Sequence, residues 1–162
     1  MVSDSVLDSG NLSRHNTLGL TAQADRVVAI TDVTQLEQAL IGARSFGPMT
    51  VLGGGSNVVM QPVQPGTVLL MNIKGRELRA DDGSRVVLRI GAGENWHELV
   101  LWCHHHGLHG LANLALIPGS VGAAPIQNIG AYGVEVAQFI RAVHVIHRET
   151  LATTVLSPES CQ

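Results

Sequence analysis

Aromatic side chains are scarce in this chain, at 3% of 162 residues. A core must therefore be assembled from Val, Leu, Ile and Ala. Charge is scarce too. Charged residues make up 14% and the net charge is −3, which gives no reason to expect nucleic acid or an anionic membrane as partner. No apolar run approaches the roughly 20 residues that span a bilayer. The first residues, "MVSDSVLDSG", lack the basic and apolar regions of a secretion signal and read as a short N-terminal extension over 1–11. Only two cysteines are present, Cys103 and Cys161, and they form neither a metal-binding nor a disulfide framework. These absences lead to the expectation of a reduced, cytoplasmic protein. Length allows one core, or two small lobes sharing an interface.

Hydrophobic residues, at 45%, and glycines, numbering 18, are abundant instead. The pattern predicts a βαβ unit. Val27 to Ile30 is of strand type, and Asp32 or Thr34 can cap a following helix, with Gln35 or Glu37 as capping-box partner. Leu36, Leu40 and Ala43 recur at helical spacing, Gly47-Pro48 stops the helix, and "MTVL" begins the next strand. Further on, Thr67 to Gly75 and Arg85 to Gly93 read as strands separated by an Asp81-Asp82-Gly83 turn. "ENWHELVLWCHHHG" reads as a helix with an apolar stripe of Trp96, Leu99, Val100 and Cys103, closed by Gly107. "IRAVHVIH" and "LATTVL" read as a terminal hairpin turning at Arg148-Glu149-Thr150. The expected class is α+β (α/β): a first lobe over 12–66, and a second lobe over 67–162 built on a mixed sheet.

Two glycine-rich segments carry the chemistry. "VLGGGSNVVM" places Gly53, Gly54 and Gly55 after an apolar strand, followed by Ser56, Asn57 and Val58. Glycine loses the most backbone entropy on folding, so a triple needs an offsetting use. It is either a plain turn or a loop whose bare N–H groups approach a phosphate. It lacks the Lys-Ser/Thr of a P-loop and the spacing of a dinucleotide turn, whereas Ser56 and Asn57 add side-chain donors. The second segment runs Ile117, Pro118, Gly119, Ser120, Val121, Gly122, Ala123, Ala124, and continues through Asn128, Gly130, Ala131, Tyr132 and Gly133. So few large side chains suit either a flat ligand laid on backbone, such as an isoalloxazine ring, or a close crossing of backbones with no ligand.

Other conspicuous residues read more plainly. His104-His105-His106 with His109 point in different directions from a helix, which favours a solvated helix end over a metal site. Cys103 and Trp96 fit the buried stripe, and Glu94 and Glu135 read as structural charges rather than acid–base catalysts. No catalytic or metal-ligating residue is assigned.

"NTLG" at Asn16 to Gly19, "GGGSN", "GAGENWHELV" and "LALIPGSVGAAPIQNIGAYGVE" occur in the order and rough spacing of the UDP-N-acetylenolpyruvoylglucosamine reductases, also called UDP-N-acetylmuramate dehydrogenases. The chain resembles that family from about Leu12 to its last residue. The resemblance implies an FAD-binding fold of the vanillyl-alcohol-oxidase type in two lobes. Gly53 to Val58 would hold the pyrophosphate, and Ile117 to Ala124 with Asn128 to Gly133 would line the flavin and its linker. It further implies NADPH as reductant, a UDP-sugar as substrate and a role in peptidoglycan precursor synthesis. Ala123 and Ala124 depart from the pattern where some relatives have serines. "LSPESCQ" corresponds to a segment that precedes the family's catalytic Arg, Ser and Glu and most of its substrate domain. The expectation is thus the FAD-binding part of such a reductase, inactive alone, holding FAD weakly, and with sheet edges open to self-association. The alternatives are a non-catalytic FAD-binding remnant and another flavin oxidoreductase of the same fold.

Overall fold

The computed structural model describes residues 10–161; most of the N-terminal extension expected over 1–11 lies outside them. The first layer is a three-stranded parallel sheet in the order β1-β3-β2, formed by Gln23–Ile30 (β1), Met49–Leu52 (β2) and Val63–Met71 (β3). Helix α1, Val33–Ala43, crosses from β1 to β2. Its start is set by Asp32, whose side chain accepts from the Gln35 N–H. Gln35 reaches back one residue beyond the cap, accepting from the Thr31 N–H at 2.9 Å.

Parallel strands pack on both faces, and β3 shows why this sequence can. Val68 and Leu70 join Val27, Leu52, Leu12 and Ala22 on one side, while Leu69 joins Val28, Ile30, Ala39 and Leu40 on the other. The first group is roofed by the segment leading into β1, where the Leu12 N–H donates to Ala22 O and Ala24 N–H to Gly10 O. The second lies under α1.

β3 begins four residues earlier than the apolar pattern indicates. Pro65-Gly66 sits inside the strand as a bulge, where a residue without an N–H is tolerated. The register slips there from Ala24↔Gln64 to Arg26↔Thr67. Gly66 takes φ +79°, donates to Asp25 Oδ2, and a Cβ on it would lie 2.0 Å from Pro48 O. The lobe division expected between 66 and 67 accordingly falls within the central strand of the first sheet.

The second layer differs from the mixed sheet expected for it. Among the described residues it consists of two-stranded antiparallel ribbons around one helix. β4 (Arg76–Asp81) pairs with β5 (Val86–Ile90); no apolar alternation marks "RELRAD" as a strand, since five of its six residues are exposed. The turn between them is held by Asp82, whose Oδ1 accepts from Ser84 Oγ and from the Ser84 and Arg85 N–H groups, lowering its pKa. Helix α2, Trp96–His105, buries Trp96, Leu99, Val100 and Cys103 against Leu114, Ala124, Ile129 and Val136. Burial raises the Cys103 pKa, as befits a core thiol. Gly107, at φ +75°, closes α2 in a Schellman turn: Leu108 N–H bonds Cys103 O and Gly107 N–H bonds His104 O.

β6 (Gly130–Ala131) and β7 (Val134–Glu135) make a small hairpin. β8 (Val143–Ile146) and β9 (Thr153–Leu156) make the terminal one. That last ribbon leaves the second layer because Ile146 and Leu151 pack into the α1 side of the first core. Arg44, the cap residue of α1, donates to the carbonyls of Arg148 and Glu149 in its turn. Among the described residues no helix is long and apolar enough to cross a membrane.

Candidate functional site

The two glycine-rich segments meet. Gly53 to Asn57 leave the carboxyl end of β2, the usual position for a ligand loop in a parallel sheet, and rest directly on Gly119 to Ala123. A Cβ at Gly53 would come 2.4 Å from Ser120 Oγ, and one at Gly54 would come 3.0 Å from Gly119 Cα. Both loops are clamped from behind. Gly55, at φ +64°, lies against His15: a Cβ there would be 2.0 Å from His15 O, while the Thr17 N–H donates to Gly55 O at 3.0 Å. The second loop is stitched to the 92–96 segment by Gly122 N–H to Ala92 O, Val121 N–H to Glu94 O and Trp96 N–H to Gly119 O. Gly122 permits that approach, since a Cβ there would lie 2.6 Å from Ala92 Cβ, and Gly91 and Gly93 let the same segment lie against the Ile73 and Asn72 backbone.

Glu94 anchors this junction and is buried. Its carboxylate accepts from Gly75 N–H at 2.9 Å and from Arg76 at 2.8 and 3.1 Å. The Gly75 bond first, and Arg76 second, hold its pKa below the ordinary value against the opposing effect of burial. It is a structural charge.

Whether these residues suit a phosphate-bearing cofactor can be judged from their unmet polar groups. Among the described residues, the N–H groups of Gly54, Gly55, Ser56 and Asn57 donate to no protein acceptor, and neither do those of Gly119 and Ser120. Gly55 is buried, and a buried N–H without a partner is rare because it forfeits its hydration. The Ser120 hydroxyl is likewise buried without a partner. Six backbone donors and one hydroxyl without protein acceptors, on two loops in contact, are the kind of donor set that an anion requires. The residues fit the group.

The other expected residues divide. Asn57 is bonded through Nδ2 to Gln127, tying the first loop to the end of the second. Val58 packs against the first core and Ile117 against the second. Pro118 is exposed between Ile117 and Gly119. Ala123 and Ala124 lie in a 3-10 turn over Val121–Gln127, and their N–H groups, like that of Gly122, are already bonded within the chain. Ala124 is buried in the second core. Asn128, at φ +43°, uses both side-chain atoms locally, toward Glu135 Oε2 and the Ala137 N–H. Gly130, Ala131, Tyr132 and Gly133 form the β6–β7 hairpin, with Tyr132 at its tip and 89% exposed. His104 Nδ1 and His109 Nδ1 face each other at 3.0 Å. Among the described residues no cluster of three or more His, Cys, Asp or Glu gathers as a metal site.

The segments around His15 to Thr17 and Ala92 to His97, which contribute to the family resemblance, carry a role the sequence does not assign: they back the two glycine loops. Their signal was present in Gly91-Ala92-Gly93, a pair of glycines two apart where a strand meets a helix.

Comparison with known proteins agrees with this geometry. A family described as "FAD binding domain" matches residues 24–150. A UDP-N-acetylenolpyruvoylglucosamine reductase of Polynucleobacter asymbioticus is 44% identical over 152 residues, 93% of this chain and 44% of the relative. One from Burkholderia multivorans is 46% identical over 147 residues, 90% of this chain and 42% of the relative. The crystal structure of UDP-N-acetylenolpyruvylglucosamine reductase from Thermus caldophilus superposes with a TM-score of 0.69 at 30% identity, covering 91% of this chain and 51% of that one. The chain thus spans less than half the length of these two curated relatives.

Proposed function

The chain belongs to the FAD-binding domain family, and from that premise we propose that it is the cofactor-holding part of a UDP-N-acetylenolpyruvoylglucosamine reductase. The observation that carries the reading is the contact between the two glycine loops, with unbonded donors on both, in a chain more than 40% identical to reductases of that name. Gly54 to Asn57, with Gly119 and Ser120, would hold the FAD pyrophosphate through backbone N–H groups. The Ser120 hydroxyl would gain the acceptor it lacks. Ile117, Pro118 and the β6–β7 hairpin would border the flavin.

When bound, FAD supplies the two-electron redox chemistry of a reductase. The protein's part at these positions is to bind and orient: fixed donors meet negative charge without reorganising. The whole reaction proposed is reduction of the enolpyruvyl double bond of a UDP-sugar with NADPH as reductant, giving UDP-N-acetylmuramate for peptidoglycan in the cytoplasm. The 162 residues alone are proposed to bind FAD without turning over that sugar.

The test is a visible absorbance spectrum of the purified chain after addition of FAD and desalting, followed by an assay of NADPH oxidation with and without the enolpyruvyl sugar. Retained flavin bands without sugar-dependent oxidation match the proposal. A folded chain whose flavin absorbance and fluorescence signals show no binding on titration with excess FAD would sink it.

A further inference from the structure

Leu116 takes φ +65° and is 78% exposed. The left-handed region is costly for a side chain branched like leucine's, and nothing is gained here by burying it. The residue nevertheless stands where the chain must swing out of a 3-10 turn, Ala112–Leu114, into Ile117-Pro118-Gly119 and the donors that follow. Something outside the loop must hold it. The first turn of α2 does so at three points: Trp96 Nε1 donates to Leu114 O at 2.8 Å, the Leu116 N–H donates to His97 Nδ1 at 3.1 Å, and Trp96 N–H donates to Gly119 O at 3.0 Å. The middle bond alone grips the left-handed residue itself.

We infer that His97 is a positioning residue for the cofactor segment: its Nδ1 lone pair keeps Leu116 left-handed and so sets the path of Ile117 to Ser120. The imidazole accepts only as the Nε2–H tautomer. An acceptor is required at the Nδ1 position, one bond beyond Cγ, and a longer side chain cannot replace it there. The inference rests on the proposal that this segment binds FAD.

The geometry selects the variants. In His97→Asn the amide oxygen stands where Nδ1 stood; in His97→Gln it is carried one carbon further; in His97→Ala it is gone. The whole chain is compared with its variants by FAD titration, with urea unfolding as a check on global folding and amide exchange of Leu116 measured without flavin. Loss of one neutral hydrogen bond is expected to weaken FAD binding about fivefold to tenfold in the Ala and Gln variants, with the Asn variant within about twofold of wild type. Leu116→Gly removes the left-handed cost, so adding His97→Ala to it should weaken binding less than about twofold.

Leu116 exchange should be slowed in wild type and the Asn variant and fast in the Ala and Gln variants. Equal FAD affinity in all the His97 variants, or equal weakening in Asn and Ala, would overturn the inference and leave the FAD reading intact. A wild-type chain that protects Leu116 yet binds no FAD would overturn the FAD reading instead. Unprotected Leu116 in the wild type overturns the inference whatever the flavin result.

Discussion

Gly55→Ala and Gly19→Ala should separate the cost of a left-handed backbone from the cost of displacing a neighbour. The two glycines have nearly the same φ, +64° and +63°. A methyl group on Gly19 meets nothing within 4 Å, whereas on Gly55 it would lie 2.0 Å from His15 O, 2.8 Å from His15 C and 2.9 Å from Asn16 Cα. Both variants carry the left-handed penalty, about 1–2 kcal/mol. Gly55→Ala must in addition push two stretches of backbone apart, since no flexible side chain is there to yield. Overpacking of that kind costs about 1–3 kcal/mol, and loss of the Thr17 N–H bond to Gly55 O adds about 1 kcal/mol. Unfolding in urea should therefore show a loss of about 1–2 kcal/mol for Gly19→Ala and about 3–6 kcal/mol for Gly55→Ala, the latter with weakened flavin retention. Costs equal to within about 0.5 kcal/mol would mean that the His15–Thr17 backing is not where the first glycine loop draws its shape.

Glu94→Gln keeps an acceptor for Gly75 and loses the charge facing Arg76, a cost of about 2 kcal/mol in urea unfolding at neutral pH. The folded Glu94 carboxyl lies below its ordinary value of 4.5. Its contribution is therefore full above that value and lost as pH falls through the folded one; the acid side of the stability profile should be flatter in the Gln variant. Trp96→Phe leaves the buried carbonyl of Leu114 without its donor and should cost about 2–3 kcal/mol, read by chemical denaturation. Asp32→Ala removes the α1 cap for about 1 kcal/mol, visible in the thermal midpoint.

The sequence made the framework legible wherever one interaction dominates. Asp32 capping α1, the Trp96–Cys103 stripe and the Gly107 closure each follow from local chemistry within a few residues. What escaped was decided at a distance. Pro65-Gly66 looks like a loop until Asp25 and Pro48 are placed around it. The strand Arg76–Asp81 has exposed faces and no apolar period to betray it. The terminal hairpin is legible as a hairpin, yet its attachment to the α1 face depends on Ile146 and Leu151 finding the first core. At the site the glycines were visible, and which N–H groups stay unbonded was not: Ala92 O takes the Gly122 N–H and Ser120 O takes those of Ala123 and Ala124, while the Gly119 and Ser120 N–H groups find no protein acceptor.

The order β1-β3-β2 has a consequence for the timing of assembly. Among the described residues β1 and β2 make no ladder with each other; the sheet partner of each is β3, the last of the three to leave the ribosome. Until Met71 has emerged, α1 has no completed sheet to cover, and Val27, Val28 and Ile30 are open to water. Pairing across so many intervening residues closes slowly, and an unfinished parallel sheet is a surface on which chains aggregate. The Gly66 bulge sits at the entry of that late strand, so a residue that cannot adopt its conformation would delay the step on which both layers wait.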